Sequence, residues 1–444
     1  MAAAARAGAL VLLSLVLGAC AQALPRSFSG FPLPRAMLPT AAKDAVPSGK
    51  LTLAGAYELA LARSERVALA ERAVADADID WSEKSTEMAP TLDATATAYE
   101  QRERVIGGVV FTPGQQFVGA VTLDQPVFRK GFFDSRAGGK HRYDSARAAL
   151  VRERQLLAHD VAAAYIDVLK FRRLLELAHS SVTRATSQRT FAAGRVKAGQ
   201  ALKNAELLAV IDVKRAERQE VNAQRDLAAA EVAFERIVGR PPPDLERPPM
   251  PSLPERANGL ELAKRRGDLA ALELGVVAAE DEEAAAAGKR LWPRFDLNAN
   301  VQYLNPDVLD TTVNWQIIGV LTIPLLQGGR EYTELSRREN ATHVAQLQLD
   351  QNTKVVIEEV ELAALQNQTA ARASELAKEE LDAAKEHYDL VDKQVRLGAI
   401  TFLEVTNAQA VLVEAENAYE AATIDKLRAA YDYLYAIGAL ELNK

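Results

Sequence analysis

The sequence predicts a mainly helical fold with a minority of strand, built from one strand–strand–long-helical-hairpin unit written twice. Three observations carry this. The first is internal repetition. Pro90 opens PTLDATATAYEQ and Pro293 opens PRFDLNANVQYL. VTLDQPVF around Pro126 is matched by LTIPLLQGG around Pro324, and FAAGRV around Gly194 by VRLGAI around Gly398. The three pairs lie roughly 200 residues apart, too far for a solenoid of short repeats, so one large unit is duplicated. The second is the absence of proline between Pro126 and Pro241 and again after Pro324. Proline-free runs of this length, rich in Ala, Leu, Glu, Arg and Gln, are those of very long helices. The third is a set of four short runs in which apolar and polar residues alternate with the two-residue period of a strand.

Residues 1–19 read as a lipoprotein signal peptide. Arg6 supplies the positive charge, and ALVLLSLVLGA is an apolar core too short to cross a bilayer as a helix. Its end, Leu17-Gly18-Ala19-Cys20, resembles a lipoprotein box, so Cys20, the sole cysteine, is the expected lipidation site. The other reading of Cys20 is a free thiol inside an ordinary cleaved signal. Gln22, two positions on, is not a residue that would retain a bacterial lipoprotein at the inner membrane. Residues 20–50 are aperiodic and contain Pro, Ser and Gly, as expected of a lipidated tether.

The first repeat spans 51–240. A helix is expected from Leu53 to Met88, capped by Thr52 and ended by Pro90. Strands follow at about 91–101 and 116–127, joined by a polar turn at 102–115. A helical hairpin then occupies about 128–239, with its tip near 194. Residues 241–258 (PPPDLERPPMPSLPERAN) are too proline-rich for regular structure and read as a linker. The second repeat spans 259–444, with strands at about 294–304 and 313–324 and a hairpin at about 326–440 whose tip lies near 398. Within the hairpins, Leu157, Val161, Ala164 and Val168 alternate spacings of four and three. Leu381, Ala384, Tyr388, Val391 and Val395 do the same, as do Val405, Ala408, Leu412 and Ala415, with one interruption of the register at Lys426. This is the seam of a coiled coil.

In the clearest strand Phe295, Leu297, Ala299, Val301 and Tyr303 alternate with Asp296, Asn298, Asn300 and Gln302. One apolar and one fully polar face suit a barrel wall between lipid and water; they also suit a soluble sheet with one wet face. No apolar stretch after residue 20 is long enough for a transmembrane helix, so a membrane crossing requires strands closed into a barrel. Four strands cannot close one, since single-chain barrels begin at about 8. Three chains would supply about 12, so a homotrimer follows if the strands enter lipid.

Taken together these features resemble the TolC family of outer-membrane efflux and secretion ducts. The resemblance runs from LTLAGAYELALARS at Leu51 to the end of the chain. It rests on that opening, on DQPVFRKG at Asp124, on its counterpart IPLLQGGR at Ile323, and on GAITFLEVTNAQ at Gly398. It implies a trimer in which a 12-stranded β-barrel in the outer membrane continues as an α-helical coiled-coil barrel across the periplasm. Substrates would enter from an inner-membrane pump through a periplasmic adaptor (a membrane fusion protein). It also implies that the hairpin tips meet the adaptor, which here are Ala193, Gly194 and Arg195, and Leu397, Gly398 and Ala399. The family often carries an acidic residue six positions after the tip glycine, at the periplasmic aperture. That position holds Glu404 in the second repeat but Gln200 in the first, so an acidic ring from the first repeat is not expected.

Other function classes find no support. His141, His159, His179, His343 and His387 are scattered without metal-ligand spacing, and no phosphate loop, nucleophile elbow or HExxH motif is present. No enzyme activity and no cofactor are expected, and a net charge of −7 gives no reason to expect a nucleic-acid partner. The alternative to a duct is a periplasmic coiled-coil structural or adaptor lipoprotein that does not span the membrane. An adaptor would show one hairpin flanked by a lipoyl-like strand module, whereas two full hairpins and no such module favour the duct.

Overall fold

The computed structural model describes residues 50–199, 202–254, 261–305, 313–325, 328–396 and 402–442. The described residues all belong to one compact unit, Val46–Lys444.

The helical part opens with α1 (Leu53–Leu61) and α2 (Glu65–Thr86). A single helix was expected here. Instead Ser64 adopts an extended conformation, and its side chain accepts the Val67 N–H at 3.3 Å, starting a new helix. Thr52 caps α1 by accepting the Gly55 N–H at 3.1 Å. Two very long helices follow in α3 (Lys130–Lys197, 68 residues) and, in the second repeat, α6 (Arg330–Arg396, 67 residues). Each reaches about 100 Å at ~1.5 Å per residue. Shorter helices lie against them. α2 and α4 (Lys203–Val238) pack on α3, and α5 (Gly267–Leu291) and α7 (Phe402–Ala436) pack on α6. The repeats are joined because α3 also packs against α5 and α7.

The expected seams are where the hairpins are buried. Leu381 and Ala384 of α6 cluster with Leu412 and Ala415 of α7; Val391 and Val395 cluster with Val405 and Ala408; Ala185 of α3 clusters with Val213 and Ala216 of α4. The interruption at Lys426 does not break α7. Past that point the helix serves two cores at once. Leu427 and Tyr431 join the first-repeat core around Tyr165 and Phe234, while Tyr433 and Ala436 join Val356 and Val360. A single stripe cannot serve two partners, so the register shifts.

Below the sheet the two repeats approach closely. A Cβ on Gly131 of α3 would lie 2.6 Å from the Ala285 carbonyl of α5, so only glycine fits there. Farther down, the Tyr165 hydroxyl donates to the Leu51 (2.5 Å) and Glu246 (2.6 Å) carbonyls, pinning the start of the repeat to the linker, where Leu51 and Leu245 form a parallel bridge. The buried Arg266 guanidinium bonds both Asp268 oxygens, Glu359 (2.8 Å) and the Ala436 carbonyl (2.8 Å). It thereby satisfies a carbonyl at the C-terminus of α7 that has no partner within its own helix.

The strands β1 (Thr91–Glu100), β4 (Gln115–Phe128), β5 (Arg294–Asn305) and β6 (Val313–Thr322) form one antiparallel sheet in the order β1-β4-β5-β6. Between β1 and β4 lies a small hairpin, β2 (Arg104–Ile106) and β3 (Val109–Thr112), where only a polar turn was expected. Gly107 and Gly108, at φ 61° and 87°, form its tight turn.

Candidate functional site

The sheet is built from both repeats. Its register places Ala94, Val121, Val301 and Trp315 side by side across the four strands, and Leu92, Leu123, Ala299 and Ile317 in the next row but one. The rows of this face are therefore mainly apolar, with polar members such as Gln125 beside Leu297 and Asn305 beside Phe117 at its two ends. These side chains lie exposed on the chain, with Trp315 at 72% and Ile317 at 63%. The opposite face carries Asp93, Thr122, Asn300 and Gln316 in one row and Thr91, Asp124, Asn298 and Ile318 in another. Apart from Ile318, these two rows form a polar lattice: Asn300 donates to Thr122 at 2.8 Å, and Asn298 donates to the Asp124 carboxylate. At the base, Arg129 pairs with Asp296 at 3.0 Å. Large exposed apolar rows are costly in water, and one polar face is what a water-filled lumen needs. Among the described residues, the two outer strands, β1 and β6, have no strand neighbour on their outer sides.

At the other end are the helix tips. Gly194 does not make the turn. Ala193, Gly194 and Arg195 lie inside α3, whose last turn continues to Lys197; the Ala198 N–H closes on the Gly194 carbonyl. The left-handed residue is Gly199, at φ 73°, five residues beyond Gly194. Gly194 carries no strain and has open space around it. The Arg195 guanidinium lies 5.9 Å from the centre of the Phe191 ring. Leu397, Gly398 and Ala399, together with Gln200 and Cys20, lie outside the described residues. Glu404 stands exposed on the first turn of α7. A further polar link near the tip, not expected from the sequence, joins Asp212 of α4 to the Thr406 hydroxyl of α7. Burial raises the Asp212 carboxyl above its ordinary value, although Arg215 and that hydrogen bond act against it.

The α3–α7 seam between the hairpins carries a ladder of ion pairs beside the apolar contacts of Leu427 and Tyr431. Arg184 meets Glu416 at 2.7 Å, Arg173 meets Glu420 at 3.0 Å, and Lys170 meets Asp425 at 2.6 Å. Arg428 meets Asp167 at 2.5 Å, and His159 meets Asp432 at 2.9 Å. Burial alone would depress the His159 pKa, but its hydrogen bonds to Asp160 and Asp432 outweigh that and hold it at about 9. Among the described residues no group of three or more His, Cys, Asp or Glu is arranged to hold a metal, and no helix is long and apolar enough to cross a membrane.

A duplicated chain whose two-faced sheet ends in open edges and continues into long hairpins belongs to the class of outer-membrane channel subunits. Comparison with known proteins gives the family. The chain belongs to the outer membrane efflux protein family, whose model matches residues 56–240 and 260–438. This is a family of efflux channels rather than of enzymes, and membership implies an outer-membrane location. The outer membrane efflux protein BepC of Brucella suis biovar 1 (strain 1330) is 28% identical over 314 residues, covering 67% of this chain and 66% of that protein. The chain thus spans about two thirds of that relative. Among solved structures, VceC of Vibrio cholerae superposes with a TM-score of 0.76 at 17% identity, covering 87% of this chain and 96% of that one. The open state of the Neisseria gonorrhoeae MtrE channel gives 0.74 at 19% identity, covering 87% and 88%. At such identities these structures speak for the fold alone.

Proposed function

We propose that this chain is the outer-membrane channel component of a tripartite efflux pump or type I secretion system, passively conducting substrates from a periplasmic adaptor and inner-membrane pump to the exterior. The observation that carries this reading is the sheet, with one face apolar, the other polar, and both edges open. Because every neighbouring pair is antiparallel, β1 and β6 run in opposite directions. β6 of one copy can therefore continue the ladder on β1 of the next. Three copies close a 12-stranded wall, apolar towards lipid and polar towards the lumen, and no edge remains. The hairpins close beneath it as a periplasmic coiled-coil barrel. Cys20 carries the lipid anchor. The tip segments around Ala193–Gly194–Arg195 and Leu397–Gly398–Ala399 meet the adaptor, with the turn at Gly199 forming the lowest point of the first. Glu404 and Gln200 line the periplasmic aperture. Energy comes from the pump.

The test is the native mass of protein extracted from outer membranes in mild detergent, corrected for bound detergent, with conductance in planar bilayers. An integral trimer that conducts ions is the expected result. A monomer freed by removing its lipid anchor would overturn the channel and return the chain to a periplasmic coiled-coil lipoprotein. For the aperture, Glu404→Ala is expected to change cation selectivity or cation block of the single-channel current; unchanged selectivity and block would remove Glu404 from it.

A further inference from the structure

The small β2–β3 hairpin stands apart from the wall it grows from. The β1–β4 ladder ends at Gln101, whose N–H donates to the Gly114 carbonyl at 2.8 Å. Arg102 and Glu103 on one side and Pro113 on the other then lie outside any strand. Proline has no N–H to give to a ladder. Pairing resumes at Arg104 and Thr112 as a separate two-stranded sheet. The break is a hinge at the rim of the sheet. Beyond it Val105, Ile106, Val109, Val110 and Phe111 are all exposed, from 36% at Val110 to 57% at Phe111. Val105 pairs with Val110, and Ile106 with Val109. Adjacent rungs point to opposite faces, so both faces of this hairpin are apolar. Phe111 is the extra residue at the register shift. A two-stranded hairpin is marginal in water on its own, and one with two apolar faces calls for cover.

Lipid is at the wrong height to supply it. β1 and β6 have 10 residues each. At ~3.4 Å per residue and a tilt of about 40°, they rise about 26 Å, the whole apolar band of a transmembrane barrel. The β2–β3 hairpin continues past that band, at the end of the sheet opposite to the one where α2 enters and α3 leaves. Rotation about a threefold axis leaves height unchanged, so its equals at that level are the same hairpins of the two other copies. They are within reach. Twelve strands ~4.8 Å apart at that tilt close a wall of radius about 12 Å, and the stretch Arg104–Gly107 spans about 14 Å. Two apolar faces are also what a ring of three requires, because each member then has a neighbour on either side.

We infer that the three β2–β3 hairpins fold over the outer mouth as an apolar iris, the Val105–Val110 face of one packing on the Ile106–Val109 face of the next. This rests on the trimer proposed above and adds to it a constriction at the opposite end from the periplasmic aperture. An apolar constriction holds back water and ions by dewetting as well as by size. The iris keeps external solutes out of the lumen until cargo moving outwards parts its blades. Arg102, Glu103 and Arg104 at the hinge leave the rim itself polar.

The test uses the full-length protein in its membrane. Val105→Cys combined with Ile106→Cys puts one thiol on each face. Mild oxidation is expected to link most chains into covalent trimers, because facing positions bring Cα atoms within disulfide reach. Either single substitution can link two copies at most, since the third is left without a partner. Gln302→Cys, on the polar face of β5, reports access from outside. In intact cells a bulky, membrane-impermeant maleimide should modify it slowly, and replacing residues 104–112 by a short Gly-Ser turn should speed the reaction severalfold. A native trimer that gives no covalent trimer, or whose Gln302→Cys reacts equally fast with and without the hairpin, overturns the iris while leaving the trimer standing. So does a Val105→Cys that forms no cross-link and is shielded from the reagent in membranes but not in detergent, which would lay the hairpin on lipid. A monomeric native mass overturns both.

Discussion

The seams inside the hairpins and the seam between them are made from different chemistry. Inside, α6 meets α7 through Leu381, Ala384, Leu412 and Ala415, and Ala415 is fully buried. Between the hairpins, α3 meets α7 through five pairs of opposite charge, from Arg184–Glu416 to His159–Asp432, and only away from the tip do Ile424, Leu427 and Tyr431 of α7 add an apolar contact with the core around Tyr165. Apolar seams lose their stabilisation on any separation, because the area removed from water is exposed again. Ionic seams at partly exposed positions exchange protein partners for water at little net cost. Each hairpin therefore behaves as a stiff unit, and tipward of the core that Leu427 and Tyr431 share with Tyr165 the softest direction is motion of one hairpin against the other.

The contrast can be broken or sharpened by experiment. The largest effect is expected from Ala415→Asp, which places an unpaired carboxylate in the α6–α7 seam. A cost of about 3–5 kcal/mol should appear as loss of the cooperative helical unfolding transition in circular dichroism. Glu416→Arg attacks the other seam by setting like charges against Arg184. It should cost about 2 kcal/mol and leave helicity unchanged, and the reversed pair with Arg184→Glu should recover most of the loss in thermal melts. His159 gives a pH signature confined to the ionic seam. Its pKa rises from 6.5 to about 9 in the folded chain. The stabilisation it supplies is thus complete below about pH 6.5 and is lost as pH rises through 9. The stability difference between wild type and His159→Gln should shrink over that range; a constant difference would mean that the imidazolium does not hold the seam. The smallest effect is expected from Arg173→Ala, whose guanidinium is about half exposed. Less than about 1 kcal/mol should be lost, and added salt should diminish it further.

Most of this architecture was legible from residue order because it is set by periodicity and by proline. The strands at 91–100 and 294–305 alternate residue by residue, and the long helices occupy the proline-free runs. The features that escaped depend on single side chains or on tertiary partners. Ser64 divides the opening helix by one capping bond. The β2–β3 hairpin carries its own sign, two glycines between the β-branched pairs in VIGGVV, but it sits in a segment whose charged flanks read as a loop. The tip turn moved from Gly194 to Gly199 because glycine in an otherwise helical run does not by itself end a helix; Ala193 and Arg195 on either side are good helix formers. The ionic seam could not be foreseen. Its charges look like ordinary solvated helix faces until α3 and α7 are brought side by side.

The open edges of the sheet carry a consequence for how such a chain reaches its membrane. β1 and β6 are each 10 residues long. Roughly half the peptide groups on each point outward, so a lone chain in lipid would strand on the order of twenty hydrogen-bonding groups, each worth several kcal/mol. That sum exceeds by severalfold the roughly 5–15 kcal/mol that keeps a domain folded. For the trimeric barrel proposed above, insertion one subunit at a time would therefore be closed. Its strands would enter the bilayer only together with those of their neighbours, and the rate of biogenesis should depend on subunit concentration more steeply than first order.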